Sequence, residues 1–315
     1  MGAANLPRSQ RRIAAGLATM AGGGLLFIRA LLRRRLLLVA AFVALAAGVL
    51  LLARSNPEPE PPEQHAARLS REHGLIVNFG APSGFYTPPY GPSDAQAEGV
   101  EIDAAKRADV SPALDGIEES LAKYPAGFVA SVAHAIFIGG RIRFQGVDSG
   151  GTFGPAWIVL IAPSFLDPAA IRLTNLIGVH HELSSLVLRR NPFSYGGWTA
   201  FLPVGWQFTN DGKSSLARAK DLDPPPSTGF LSAYGATTAE NDFNVYVEKM
   251  FTEPQKVARL AHEYPLIARK VAFVIATYAA VDPRLTETFR SLGLGAFVGY
   301  AGDAVVAPSG TEAPP

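Results

Sequence analysis

Three consecutive residues, His180-His181-Glu182, have the clearest chemical potential in the chain. A neutral imidazole binds a metal ion, and a glutamate beside it can take a proton from a metal-bound water. The arrangement that does this is His-Glu-x-x-His on a helix, because residues four apart project from one face onto a single zinc ion. Counted from His181, the fourth position holds Ser185, a poor ligand. The competing reading is a buried polar cluster that satisfies itself by hydrogen bonds.

Two other motifs read as accidental. His262-Glu263 is followed by Tyr264-Pro265, and proline breaks the helix the motif requires. Val147-Asp148-Ser149-Gly150-Gly151 resembles the surroundings of a serine nucleophile, but the region lacks the many short strands of a two-barrel β fold, and a glycine-rich turn is the simpler reading. His134 lies on an apolar stretch and reads as a core residue.

The elements that would position the first motif can be read locally. Trp157 to Ile161 is a continuous apolar run of the buried-strand kind. Asp167-Pro168 then supplies an N-cap and a first-turn proline, and the helix should run to about Arg190, before Asn191-Pro192. Leu173, Leu176, Ile177, Leu183, Leu186 and Val187 follow helical spacing and predict one buried face. Further helices are predicted over Glu240 to Phe251, Pro254 to Ala261 and Pro265 to Ala280, with another over Asp115 to Lys123. A glycine turn is expected before Arg141 to Gly146, and loop over 84–100. On the helix from Glu240, Asn241, Asn244 and Glu248 share a face with Asp242 close by, which is where a third metal ligand would come from; solvated acids on an exposed helix are the alternative.

With 315 residues and 48% hydrophobic composition the chain can bury a sizeable core. Its formal charge of +1 hides an asymmetry. Residues 1–55 hold eight arginines, no lysine and no acid, which leaves 20 basic against 27 acidic residues over 56–315. That larger part has no basic patch of the nucleic-acid-binding kind, so no nucleic-acid partner is expected. Leu36 to Ala53 is eighteen residues without a polar side chain, roughly 27 Å as a helix, enough to cross a bilayer core. The arginines on its N-terminal side predict a single-pass membrane anchor with residues 1–35 in the cytoplasm, and an uncleaved one because the stretch has no clean small-residue exit. A Pro/Glu spacer over 54–64 would hold a domain at 65–306 outside the cytoplasm, in the periplasm or beyond the cell, and residues 307–315 would form a disordered tail. Cysteine is absent, which removes disulfides, thiolate metal sites and cysteine catalysis together.

Over roughly 65–295 the pattern resembles a family of zinc-binding metallopeptidases, secreted or membrane-attached bacterial proteins of the zincin type. The resemblance rests on Gly74 to Val77, Leu121 to Pro125, His181 to Leu186, Asn191-Pro192, Trp198, Gly229 to Tyr234 and Glu240 to Phe243. It implies an α+β domain with a small sheet packed on an active-site helix and a helical C-terminal half, preceded by the transmembrane helix. It implies zinc as cofactor, His181 as first ligand and Glu182 as catalytic base. Ser185 departs from the pattern at the second ligand and Asn241 at the acidic position of the later helix. His180, Glu248 or Asp242 could supply the missing donors, although neighbours on a helix point about 100° apart, so His180 and His181 cannot easily reach one ion. The implied activity is a membrane-anchored zinc metallopeptidase or metal-dependent hydrolase. The alternative is a catalytically inactive descendant that binds peptides or proteins of the cell envelope.

Overall fold

In a computed structural model of the protein, residues 60–80, 100–144, 146–190, 195–208, 215 and 221–300 are described. The apolar stretch 36–53, residues 1–35, most of the spacer, the expected loop at 84–99, Asn191-Pro192 and the tail from 307 all lie outside them. Among the described residues no helix is long and apolar enough to cross a membrane.

Strand β3 (Ala135–Phe144) is the spine of a mixed six-stranded sheet. Its first half pairs in parallel with β1 (Ile76–Asn78) on one side and β6 (Trp157–Ile161) on the other. Its second half pairs antiparallel with β2 (Val100–Ala104) and β4 (Val147–Ser149). Strand β5 (Gly151–Phe153) runs antiparallel to β6 and ends the sheet on that side. The twofold alternation of a strand sorts the apolar residues between the two faces. Ile136, Ile138, Ile158 and Leu160 join the main core, whereas Phe137, Trp157, Val159 and Ile161 form a smaller cluster on the other face.

The expected glycine turn before Arg141 is absent, because Gly139 and Gly140 lie within β3. Strand β2 crosses so closely that a Cβ at Gly140 would fall 2.4 Å from the Ala104 carbonyl oxygen. Here glycine marks a close approach of two backbones, not a reversal of the chain. His134, expected in the core, is exposed; only its backbone is used, accepting from Ile76 N at 2.9 Å and donating to Ala156 O at 2.6 Å.

Helix α1 (Pro62–His73) starts three residues before the expected domain start at His65. Helix α2 (Arg107–Leu121) is longer than predicted, and the short α3 (Phe128–Val132) precedes the sheet's spine. Helix α4 (Pro168–Arg190) has the predicted limits, and Asp167 caps it by accepting from Ala170 N at 2.8 Å. It is held on two sides: Asn175 Nδ2 donates to the Ile161 carbonyl at the end of β6, and Ser120 Oγ of α2 donates to the Leu176 carbonyl at 2.7 Å. Leu173, predicted on the buried face, is 54% exposed, because the helix buries its next turns instead, at Leu176, Val179 and Leu183.

The C-terminal half is helical: α5 (Tyr195–Thr199), α6 (Ala239–Thr252), α7 (Pro254–Glu263), α8 (Pro265–Val281) and α9 (Leu285–Phe289). A fully buried ion pair joins α6 to α8. Lys270 Nζ donates to Asp242 Oδ2 at 2.6 Å and to the Gly229 carbonyl at 2.8 Å, and Trp198 Nε1 donates to the same carboxylate oxygen at 3.0 Å. The Lys270 ammonium also lies 4.3 Å from the Phe230 ring centroid. Burial pushes the Asp242 carboxyl up and the Lys270 amine down, and the attraction between them opposes both shifts. Removing one partner strands the other charge in the core. Lys270→Met is therefore expected to cost about 3–5 kcal/mol in urea unfolding, and Lys270→Met/Asp242→Leu less than Lys270→Met alone. A loss in the double variant equal to the sum of the Lys270→Met and Asp242→Leu losses would show that the pair is not coupled.

Candidate functional site

Between β5, the middle of α4 and the start of α6 lies a cavity of about 660 Å³. Helix α4 contributes Thr174, Ile177, Gly178, His181 and Glu182; α6 contributes Glu240, Asn241, Asn244 and Glu248; Tyr234 closes the wall before α6. The spacing of 240, 244 and 248 sets these three side chains on one helix face. Thr238 starts that helix, its hydroxyl accepting from Asn241 N at 3.0 Å.

Of the residues singled out in the sequence, His181, Glu182 and Glu248 come together. His181 Nδ1 donates to Glu248 Oε2 at 2.8 Å, and its ring centroid lies 5.8 Å from that of Tyr234. Burial alone would lower the imidazole's pKa; the Glu248 hydrogen bond and the charges of Glu248, Glu182 and Glu240 outweigh it and raise the pKa. Glu182 is only 8% exposed. Burial pushes its carboxyl up to about 7; His181 opposes that shift, while Glu240 and Glu248 add to it. The hydroxyl of Tyr234 is raised as well, first by burial and then by the same three carboxylates.

His180 and Asp242 do not join them. The turn of about 100° between neighbours sends His180 to the other side of α4. There its ring stacks on Phe251 at 4.5 Å, and Nδ1 shares a hydrogen bond with the Tyr124 hydroxyl at 2.8 Å. Burial, aided by the Lys123 charge, holds it well below the usual histidine range, so it is a neutral core residue. Asp242 faces α8 and is taken up by Lys270 and Trp198.

The position where a second imidazole is missing is filled in a definite way. Ser185 is fully buried, and its hydroxyl accepts from Asn244 Nδ2 at 2.9 Å. Asn244 Oδ1 in turn accepts from Ser184 Oγ at 2.5 Å. Both polar ends of the Asn244 amide are thus used between α4 and α6. Asn241, the other departure, donates to Thr237 Oγ1 at 3.0 Å. Among the described residues no group of three or more His, Cys, Asp or Glu side chains is arranged to hold a metal ion. His181 is bonded to Glu248, the Ser185 hydroxyl is bonded to Asn244, and Glu182 and Glu240 are not gathered with them, so these donors do not fit a resident zinc with three protein ligands.

Sequence reasoning missed the sheet wall of the cavity, made by Ile142, Phe144, Thr152 and Phe153. One signal for it was the glycine pair at 150–151. A Cβ on Gly151 would fall 2.5 Å from Glu182 Oε1, so any larger residue on β5 here would push the carboxylate from its present place. Ser149 also lines the cavity, but its hydroxyl is occupied by the Gly151 carbonyl at 2.8 Å.

No family model matches the chain, and no curated protein matches it. Among solved structures it is similar to that of a "putative zinc-binding metallo-peptidase" from Bacteroides caccae ATCC 43185, at 12% identity and a TM-score of 0.43, over 78% of this chain and 96% of that one.

The buried Glu182 gives a signed pH dependence. Its carboxyl is raised from 4.5 to about 7 on folding, so the folded state binds the proton more tightly than the unfolded one. The associated stability is full below about pH 4.5 and is lost as pH rises through about 7. Urea unfolding across that window should show the wild type losing up to about 3 kcal/mol relative to Glu182→Gln. Parallel curves for the two proteins would contradict the assignment.

Proposed function

We propose that the chain is a cleft protein of zincin-like type that binds peptides or proteins without zinc catalysis, held by Leu36 to Ala53 at a membrane with its domain outside the cytoplasm. The observation that supports this most is the Ser185–Asn244 hydrogen bond at 2.9 Å. It replaces a metal donor with a neutral, self-satisfied link between the two helices that line the cleft. Breaking it to admit an ion would leave a buried amide without its partner, at a cost of about 1–3 kcal/mol.

A zinc-dependent hydrolase is the second reading, and one observation favours it. Glu182 stands beside His181 in the cavity with its carboxyl pushed up to about 7, in the range of a general base. That reading requires another donor, such as Glu248 beside His181, to stand in for the ligand missing at Ser185.

Zinc content separates the two. After exposure to excess zinc and desalting, the purified protein is expected to retain less than about 0.2 zinc per chain, since a site with so few free donors binds the ion poorly. Retention near one zinc per chain, lost in His181→Ala and kept in Glu182→Gln with loss of peptide hydrolysis, would establish the hydrolase instead.

A further inference from the structure

The carboxylates of the cavity differ from those of the rest of the domain. On the surface, acids are held by arginines: Glu118 by Arg68, Glu63 by Arg107, Asp148 by Arg141, Glu101 by Arg143 and Glu119 by Arg172. Inside the cavity three carboxylates, Glu182, Glu240 and Glu248, face one histidine, and among the described residues no lysine or arginine lines the wall. That histidine is already committed to Glu248. Glu182 is more than nine-tenths buried, lines the cavity, and has no hydrogen-bond or ion-pair partner among the described residues. A buried carboxylate left without a donor costs free energy that a bound positive group would recover.

The same cavity also has an apolar lining, made by Ile142, Phe144, Phe153 and Ile177. Its volume is in the range of small-ligand sites, about 300–1,000 Å³. The Tyr234 ring adds a π face near His181.

We infer that this cavity binds an organic cation: a primary ammonium or guanidinium seated at Glu182, Glu240 and Glu248, with an apolar body against Ile142, Phe144, Phe153 and Ile177. The inference rests on the reading of the cleft as a binding site and names the chemistry it selects. An ammonium or guanidinium can donate to carboxylates spread along a wall, whereas a metal ion needs its donors gathered at about 2 Å. In a peptide ligand the positive group is a lysine or arginine side chain or a free N-terminus beside an apolar residue.

Isothermal titration of the full-length protein in detergent tests this with the 4-phenylbutylammonium ion and the neutral 4-phenylbutanol as probes. The ammonium is expected to bind at one site, at least about tenfold more tightly than the alcohol. Glu182→Gln and Glu240→Gln should each weaken the ammonium about tenfold and leave the alcohol unchanged, and Asp148→Asn, outside the cavity, should change neither. Glu240 is half-buried in the first turn of α6, so its variant reports even if Glu182→Gln disturbs the fold. Equal affinity for the two probes, no ammonium binding, or insensitivity to both glutamine variants would overturn the inference. So would displacement of the ammonium by stoichiometric calcium. The zinc measurement is independent: zinc retention defeats the binding-protein reading, whereas equal probe affinities without zinc defeat the cation alone.

Discussion

Two buried helices with polar faces can lie against each other only if those faces satisfy one another, and at the centre of the crossing of α4 with α6 the Asn244 amide meets that condition. Asn244 accepts a hydrogen bond from Ser184 and donates one to Ser185, which fixes the register of the two helices with both hydroxyls out of reach of solvent. One turn further along α6, Glu248 meets His181, and one turn back Glu240 opens onto the cavity. The geometry of the cleft follows from that link. The same link also takes up the Ser185 hydroxyl, four residues after His181 on α4.

The far side of α6 is anchored by charge. Asp242, Lys270, the Trp198 indole and the Gly229 carbonyl form a buried polar network among aromatic rings. Helix α6 thus spends one acid on holding itself to α8 and turns two others, Glu240 and Glu248, toward the cavity. A rigid helix that presents carboxylates to a partly apolar cavity is suited to hold a ligand in one orientation.

Much of this was legible in the sequence. The Asp167-Pro168 start of α4 and the apolar run of β6 carry local signals strong enough to place the mixed α+β framework and the central helix. The same helical geometry that sets His180 and His181 about 100° apart already implied that one of them would face away. What the sequence could not show were effects of close approach. Gly139-Gly140 reads as a turn until β2 is known to cross it, and Gly151 reads as loop until Glu182 lies beneath it. The second helix face was ambiguous for a related reason: Glu240, Asp242 and Glu248 are alike as residues, and only the packing of α8 takes Asp242 out of the site. The role of Asn244 was hidden in the same way, because an amide at a helix face gains its meaning from the two serines opposite.

The most direct test of the central claim is the zinc-edge anomalous map of a crystal soaked in zinc. The account predicts no zinc at about 2.1 Å from His181 and an intact Ser185–Asn244 hydrogen bond. A zinc ion bound by His181 and Glu248, with the Asn244 amide turned away from Ser185, would contradict it.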